Sequence, residues 1–362
     1  MKHLYLKSIS LCLCLFAGIN VFAYDAEING IFYNFIDDNA IVTYQTSEEG
    51  EIIYYTGVVD IPATVTYGGL DYNVTAIGEY AFNKCRDLTS VTLPASVTML
   101  GNHAFCNCKG LTSFTMPASV TSIGAYAFYG CTNLASINLP DGVTTIGNDA
   151  FGLCWSLTSV TLPESLENIG NYAFYECSGL SSITIPENVT SIGRDAFSGC
   201  KGLTSATLPT NITSITAFMF YNCIRLSSIT IPASVTEIDE YAFSYCTGLT
   251  DVTCLAIEPP AIWSTAFNKV AIEDITLNIP EDAIEEYKNY DGVWGMFNWG
   301  DEDPIEGAFA MESYTTSIHS IMTDNHGIAE SYDLSGRRQS ALQHGLNIIR
   351  MSDGTTRKVL VK

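Results

Sequence analysis

One length recurs along this chain and constrains its fold more than any other feature. Prolines stand at 94, 117, 140, 163, 186, 209 and 232, each 23 residues after the last. Phenylalanines at 82, 105, 128, 151, 174, 197, 220 and 243 take the same step. So do Cys85, Cys108, Cys131, Cys154, Cys177, Cys200, Cys223 and Cys246, and the leucines at 88, 111, 134, 157, 180, 203, 226 and 249. Four residue types held in phase over eight copies mark stacked supersecondary units rather than a conventional globular core. The shared unit is T-x-I-G-x-x-A-F-x-x-C-x-x-L-x-x-I-x-[LI]-P-x-x-V.

The chemistry of one unit explains its pattern. Leu88-x-x-Val91-x-Leu93 predicts a short strand with Val91 and Leu93 on one face and Thr92 on the other. Pro94 ends the strand because it has no backbone donor. Val97 and the Ile77-type residues turn inward at a corner, and Gly78 with its equivalents to Gly193 suits a tight bend; Thr216 and Asp239 replace it in two copies. Ala-Phe then sends a large ring inward beside a small partner. A unit this short cannot bury these side chains alone, so the units are expected to stack, each strand about 4.8 Å from the next.

These blocks, such as Ile169 to Leu180 and Ile183 to Val189, resemble the leucine-rich repeats, and more closely the BspA-like bacterial branch. The resemblance spans roughly residues 55 to 300. It implies a leucine-rich-repeat solenoid dominated by short strands with short helical turns, and a surface protein linked to adhesion to host surfaces and matrix. The Cys precedes the strand here, whereas in the general repeat the Asn or Cys follows it. Horseshoe curvature and an ordinary concave site therefore do not follow.

The segments outside the repeats divide the chain further. Residues 1–23 read as a secretory signal: Lys2 and Lys7, an apolar run from Ile9 to Phe16, then Val21-Phe22-Ala23. A buried helix or a membrane span are the alternatives, but the run falls short of the about 20 residues that span a bilayer. Cys12 and Cys14 suggest a lipoprotein, yet no small residue precedes either. Residues 24–74 alternate apolar and polar, the signature of a β-meander, and form the expected N-terminal cap. Pro62 lies 32 residues before Pro94, which places a nine-residue insertion near Tyr67-Gly68-Gly69. The eight repeats occupy 75–255. A degenerate repeat and C-terminal cap follow over 256–300, with a last strand at Thr276 to Pro280, an amphipathic helix from Glu281 to Asn289, and Trp294, Phe297 and Trp299 closing the core. Residues 301–317 read as an acidic linker. In 318–362, the stretches Tyr332 to Arg338, Gly345 to Arg350 and Lys358 to Lys362 read as strands of a small sandwich-like tail, similar to the sorting domains of the type IX secretion system. That similarity implies transport to the cell surface or beyond.

Charge narrows the partners. The 362 residues carry 16 Lys and Arg against 39 Asp and Glu, a formal charge of −23 that becomes −25 without Lys2 and Lys7. So acidic a surface argues against nucleic acid, which needs a dense cationic face. The acids are uneven, with nine and no Lys or Arg in 24–75. No later stretch is apolar for long enough to span a membrane, so the mature chain is expected to lack a transmembrane span and to be a monomer.

Catalysis has little to draw on. Beyond residue 23 the histidines are His103, His319, His326 and His344, and no phosphate-binding glycine loop, metal cluster or Ser-His-Asp motif accompanies them. No cofactor or metal is expected. The eight aligned cysteines lack the close pairs of metal sites, and identical side chains stacked in parallel point alongside one another, so a packed thiol ladder is expected. Cys106 and Cys254 lie off the ladder and are candidates for exposure.

The aromatic residues carry more information. Two places before each Phe stand Tyr80, His103, Tyr126, Asp149, Tyr172, Asp195, Phe218 and Tyr241. One place after it stand Asn83, Cys106, Tyr129, Gly152, Tyr175, Ser198, Tyr221 and Ser244. Large and small residues alternate from the third repeat to the seventh, a superperiod of 46 residues. Either each Tyr leans over the small residue of the next coil, or Tyr126, Tyr129, Tyr172, Tyr175, Tyr221 and Tyr241 form a ridge that recognises a partner, or they do both. Thr92, Thr115, Asn138, Thr161, Thr184, Thr207, Thr230 and Thr253 form a polar stripe on the strand face. Three functions remain: a non-enzymatic adhesion or matrix-recognition protein, a glycan-binding or scaffolding component of nutrient uptake, and an enzyme of unrecognised site. The expected partner is an extracellular protein or glycan.

Overall fold

The computed structural model describes residues 24–46 and 52–297, together with the backbone of four tail strands. The proposed signal, the linker and Trp299 lie outside the described residues.

All coils but the one around Phe114 carry two short parallel strands where one was expected. The first is the Leu-x-x-Val strand, as in Leu88–Thr92, Ser136–Asn138, Ser159–Thr161 and Ser182–Thr184. The second is the two-residue segment that ends in the Ile before the glycine, as in Met99–Leu100, Ser122–Ile123 and Thr145–Ile146. Both kinds pair in parallel with the equivalent strand 23 residues on, for example Ser136 with Ser159 and Ile123 with Ile146. The second ladder runs unbroken from Leu70–Ile77 to Ser191–Ile192 and resumes from Ser214–Ile215 to Ala261–Ile262. The first is interrupted. No strand forms around Phe114, whose ring sits edge-on to Phe105 and Phe128 at 4.9 Å from each. The bulky ring takes the place of the β-branched or small residue found there in the other coils.

The interior is a column of phenylalanines. From Phe82 to Phe243 successive ring centroids lie 5.0 to 5.7 Å apart with planes within 11°. That spacing is close to the strand-to-strand distance of about 4.8 Å, so coil stacking and ring stacking enforce one another. Phe267 extends the column at 5.1 Å, although its repeat is 24 residues long and lacks the Cys and Leu. Tyr55 closes the first end at 4.6 Å from Phe82, and Phe297 closes the other edge-on to Phe267.

The glycine before each turn has a different role from the one its position suggested. Gly78, Gly101, Gly124, Gly147, Gly170 and Gly193 do not adopt positive φ. Instead, a Cβ on Gly147 would sit 2.6 Å from the Ala125 nitrogen and the Gly124 carbonyl carbon. Close approach of successive coils, not a tight bend, demands glycine. In the coil that carries Thr216, its Oγ1 donates to the Gly193 carbonyl at 3.0 Å.

The caps are continuous with the ladders. Ala26–Ile28, Ile31–Ile36 and Asn39–Thr43 form an antiparallel meander, and the last of these pairs in parallel with Leu70–Ile77. The nine-residue insertion is the hairpin of Thr64–Tyr67 with Leu70–Ile77, turned by Gly68 and Gly69 at φ of 60° and 79°. Gly57–Asp60 already pairs with Leu88–Thr92, so coiling starts before residue 75. At the other end Thr276–Asn278 is the last strand of its ladder. The expected helix over 281–289 is a 3-10 turn, Glu281–Ala283, followed by a short α-helix, Ile284–Lys288. Trp294 and Phe297 are buried, and the Trp294 Nε1 donates to the Pro260 carbonyl at 2.9 Å.

In the tail, Ile328–Tyr332, Arg338–Gln339, Gly345–Met351 and Thr356–Val361 form one antiparallel sheet. Among the described residues it is a single layer rather than a sandwich.

Candidate functional site: the aromatic and acidic ridge

The ridge is built by the turn that carries Ala-Phe. The residue two places before each Phe, from Tyr80 to Tyr241, has φ between 54° and 59°. Such left-handed backbone is unfavourable for residues with a Cβ, by about 1–3 kcal/mol each. Its compensation is a third backbone ladder. The Tyr80, Phe82 and Lys84 N–H groups donate to the Asn102, Ala104 and Cys106 carbonyls at 3.0, 2.8 and 2.7 Å. The pattern repeats in coil after coil. Asp and Asn tolerate left-handed backbone better than most residues, but Tyr and Phe do not, so their repeated use here needs another reason.

Beneath the ridge run the cysteines. The described thiols are unbridged and buried, Cys106 and Cys254 included, so neither of these two is exposed. Each ladder thiol from Cys108 to Cys246 donates to the Phe carbonyl of the preceding coil, for example Cys154 Sγ to Phe128 O at 3.2 Å. The distances span 3.0 to 3.3 Å. Burial pushes the Cys85, Cys154 and Cys246 thiols up to about 12. The thiolate is the reactive form, so these are packing and hydrogen-bonding groups. Cys254 accepts from the Tyr287 hydroxyl at 3.1 Å. Nothing in the repeat pattern pointed to the thiol-to-carbonyl bond, because it joins residues 26 apart rather than 23.

On the outer side the six candidate tyrosines are all half-buried. They fall into three clusters rather than one strip. Tyr80, His103 and Tyr126 stack at 4.6 Å each, and Tyr129 sits edge-on to Tyr126 at 5.5 Å. Tyr172 and Tyr175 form a second edge-on pair at 5.8 Å. Phe218 stacks on Tyr241 at 4.8 Å, and Tyr221 lies between Phe218 and Tyr245. The Tyr129 ring leans over Gly152, where an added Cβ would meet its Cδ2 at 2.9 Å.

Two carboxylates fill the gaps between clusters. The Asp149 charge acts on the Tyr126 hydroxyl, and the Asp195 charge acts on that of Tyr172. Burial raises the Asp149 pKa, opposed by the Tyr126 hydroxyl. The Asp149 charge, then burial, raises that of Tyr126. For Tyr129, Tyr172 and Tyr175 burial comes first, again upward. Burial lowers the pKa of His103. Asp195 is buried and pairs with Arg194 at 3.2 Å, and the Arg194 guanidinium lies 5.5 Å over the Phe218 ring. In the sequence both aspartates read only as the small members of the alternation. That the small residue is an acid, twice, 46 residues apart, was the available signal.

The polar stripe on the strand face is exposed from Thr92 to Thr230 and half-buried at Thr253. Among the described residues no group of three or more His, Cys, Asp or Glu side chains is placed to hold a metal. None of the described helices is long and apolar enough to cross a membrane.

Parallel two-strand coils around a stacked apolar column define a leucine-rich-repeat solenoid. The chain belongs to the BspA type leucine rich repeat family, which matches in six copies over residues 64–181 and 167–291. Among solved structures it is similar to a leucine rich cell surface protein of Faecalibacterium prausnitzii, at 22% identity and a TM-score of 0.38, over 79% of this chain and 97% of that one. A T. pallidum leucine rich repeat protein matches at 25% identity and a TM-score of 0.43, over 62% of this chain and 90% of that one. A leucine-rich repeat protein from Bacteroides ovatus matches at 24% and 0.34, over 74% and 97%. No curated protein matches the chain.

Proposed function

We propose that this chain is an exported, non-enzymatic adhesion protein that binds an extracellular protein through the ridge of its solenoid. The observation that carries this reading is the side-chain choice at left-handed positions. Packing alone is served there by Asn, Asp or Gly, yet Tyr126, Tyr172, Phe218 and Tyr241 occupy them with rings half open to solvent. Tyr offers large contact area at low entropic cost, which suits interfaces. The backbone is fixed by three ladders of hydrogen bonds, so the rings are presented with little ordering left to lose on binding. The terminal segments fit delivery to the surface: a signal-like start and a tail similar to a sorting domain.

The test is capture of immobilised matrix proteins and polysaccharides by the full chain and by the double variant Tyr172→Ala with Tyr175→Ala. The expected result is protein capture by the parent and loss in the variant, with the melting transition largely kept. Capture on polysaccharide alone would move the assignment to glycan recognition. Unchanged capture by a folded double variant would remove the ridge from the binding surface.

A further inference from the structure

The ridge contains the same arrangement twice, and only one copy is filled. In the later copy, the Asp195 charge acts on the Tyr172 hydroxyl, and the Arg194 guanidinium bonds to that carboxylate at 3.2 Å and covers the Phe218 ring at 5.5 Å. Forty-six residues earlier the same positions hold Tyr126, Asp149, Asn148 and Tyr172. The Asp149 charge acts on Tyr126 as that of Asp195 acts on Tyr172, and Tyr172 holds the repeat position that Phe218 holds 46 residues later. The guanidinium is what differs: Asn148 replaces Arg194, and among the described residues Asp149 has no ion pair. The Asn148 Oδ1 instead accepts from the Asn171 N–H at 2.9 Å.

We infer that Asp149 and the Tyr172 ring form a receptor for an arginine side chain of the partner protein, of which Arg194 on Asp195 and Phe218 is the chain's own internal counterpart. This rests on the ridge being the binding surface, and it names the chemistry that one point of the surface selects. Two interactions favour a guanidinium there. A planar donor fork fits a carboxylate. The flat cation can also lie on an aromatic face at the distance Arg194 adopts. Burial raises the Asp149 pKa, and among the described residues no ion pair reaches its carboxylate, which leaves it partly desolvated without a countercharge. A partner cation supplies one. Arginine within a polypeptide is favoured over a small guanidine because the ring and acid lie on an open ridge, where a single exposed pair is weak and gains from neighbouring contacts. The formal charge of −23 draws basic partners to the surface generally. Asp149 gives that attraction a defined point.

The test uses the full chain and a blocked peptide, acetyl-Gly-Ser-Arg-Ser-Gly-amide, with its glutamine counterpart as control, read by NMR shifts of assigned amides. The arginine peptide is expected to shift Asp149 and Tyr172 in a saturable way, and the glutamine peptide to leave them unmoved. Asn148→Arg fills the receptor in cis and is expected to abolish those shifts; the fold already accepts arginine at this position in the Arg194 coil. Arg194→Ala empties the second copy and is expected to add a saturable set of shifts at Asp195 and Phe218. Shifts spread over the acidic surface, or a site that persists in Asn148→Arg, would overturn the inference. If that happens while the tyrosine double variant still loses protein capture, only the arginine receptor fails and the ridge stands.

Discussion

The column inside this solenoid and the ridge outside it are made by the same turn, yet they obey different rules. Inside, Phe follows Phe through eight coils of equal length and a ninth, with planes within 11° from Phe82 to Phe243. Outside, two residues away, the sequence alternates Tyr126, Asp149, Tyr172, Asp195 and Phe218. An interior position meets its own equivalent on both sides, so one residue that stacks well on itself satisfies every coil. A ridge position also meets solvent, and a large ring there covers part of the next coil, which leaves room only for something small or charged. Uniformity is thus the mark of an enclosed interior, and alternation the mark of a surface where each large ring takes up room beside its neighbour.

The largest effect should come from breaking the column. Phe174 is fully buried between two parallel rings, so Phe174→Ala should cost about 3–5 kcal/mol by leaving a cavity that stacked neighbours cannot close. Denaturant unfolding measures it, and a loss below that of any ridge tyrosine would reverse the contrast between inside and outside. Gly147→Ala comes next. Its Cβ would lie 2.6 Å from backbone atoms of the preceding coil, which cannot yield as a side chain can, and overpacking of this kind costs about 1–3 kcal/mol. A neutral result would mean that the coils can separate at this point, as the coils with Thr216 and Asp239 must.

The thiols should matter less. Cys154→Ala removes the donor to the Phe128 carbonyl, which keeps the Cys131 N–H at 3.1 Å, so about 1 kcal/mol is expected for the lost bond. With the Cys154 thiol held up at about 12, alkylation of the native protein at neutral pH should be slow and become complete only on unfolding. Rapid labelling of the folded chain would show the ladder to be open.

How much of this was legible in sequence follows the same division. Repeat length, the inward Phe, the Val-containing strand and its closing proline could be read directly, because each is a one-residue preference repeated many times. The second strand could not: Ser122–Ile123 is two residues long and makes no alternation, and only the neighbouring coil makes it a strand. The reason for the glycine was hidden likewise, since close approach between Gly147 and Gly124 is a distance across coils. At the ridge the superperiod was visible, but the Arg194–Asp195–Phe218 contact was not, because it joins one coil to the next.

The smallest effect separates the two copies of the ridge motif and turns on pH. The folded-state pKa of Asp149 is raised, chiefly by burial. The folded chain therefore holds this proton more tightly than the unfolded chain does. The stability so gained is full below the unfolded carboxylate value, about 3.9, and is lost as pH rises through the raised folded value. This is opposite in sign to the usual paired carboxylate. Asp149→Asn, which removes the charge at nearly the same size, should then match the parent in acid and melt slightly higher at neutral pH. Asn148→Arg should act on the same window from the other side. By giving Asp149 the cation that Asp195 already has, it should pull the folded pKa down and flatten the dependence. Melting temperatures of the three proteins across pH 4 to 8 decide this. If Asn148→Arg retains the parent's slope, the guanidinium does not reach the carboxylate, and the resemblance between the two halves of the superperiod ends at the backbone.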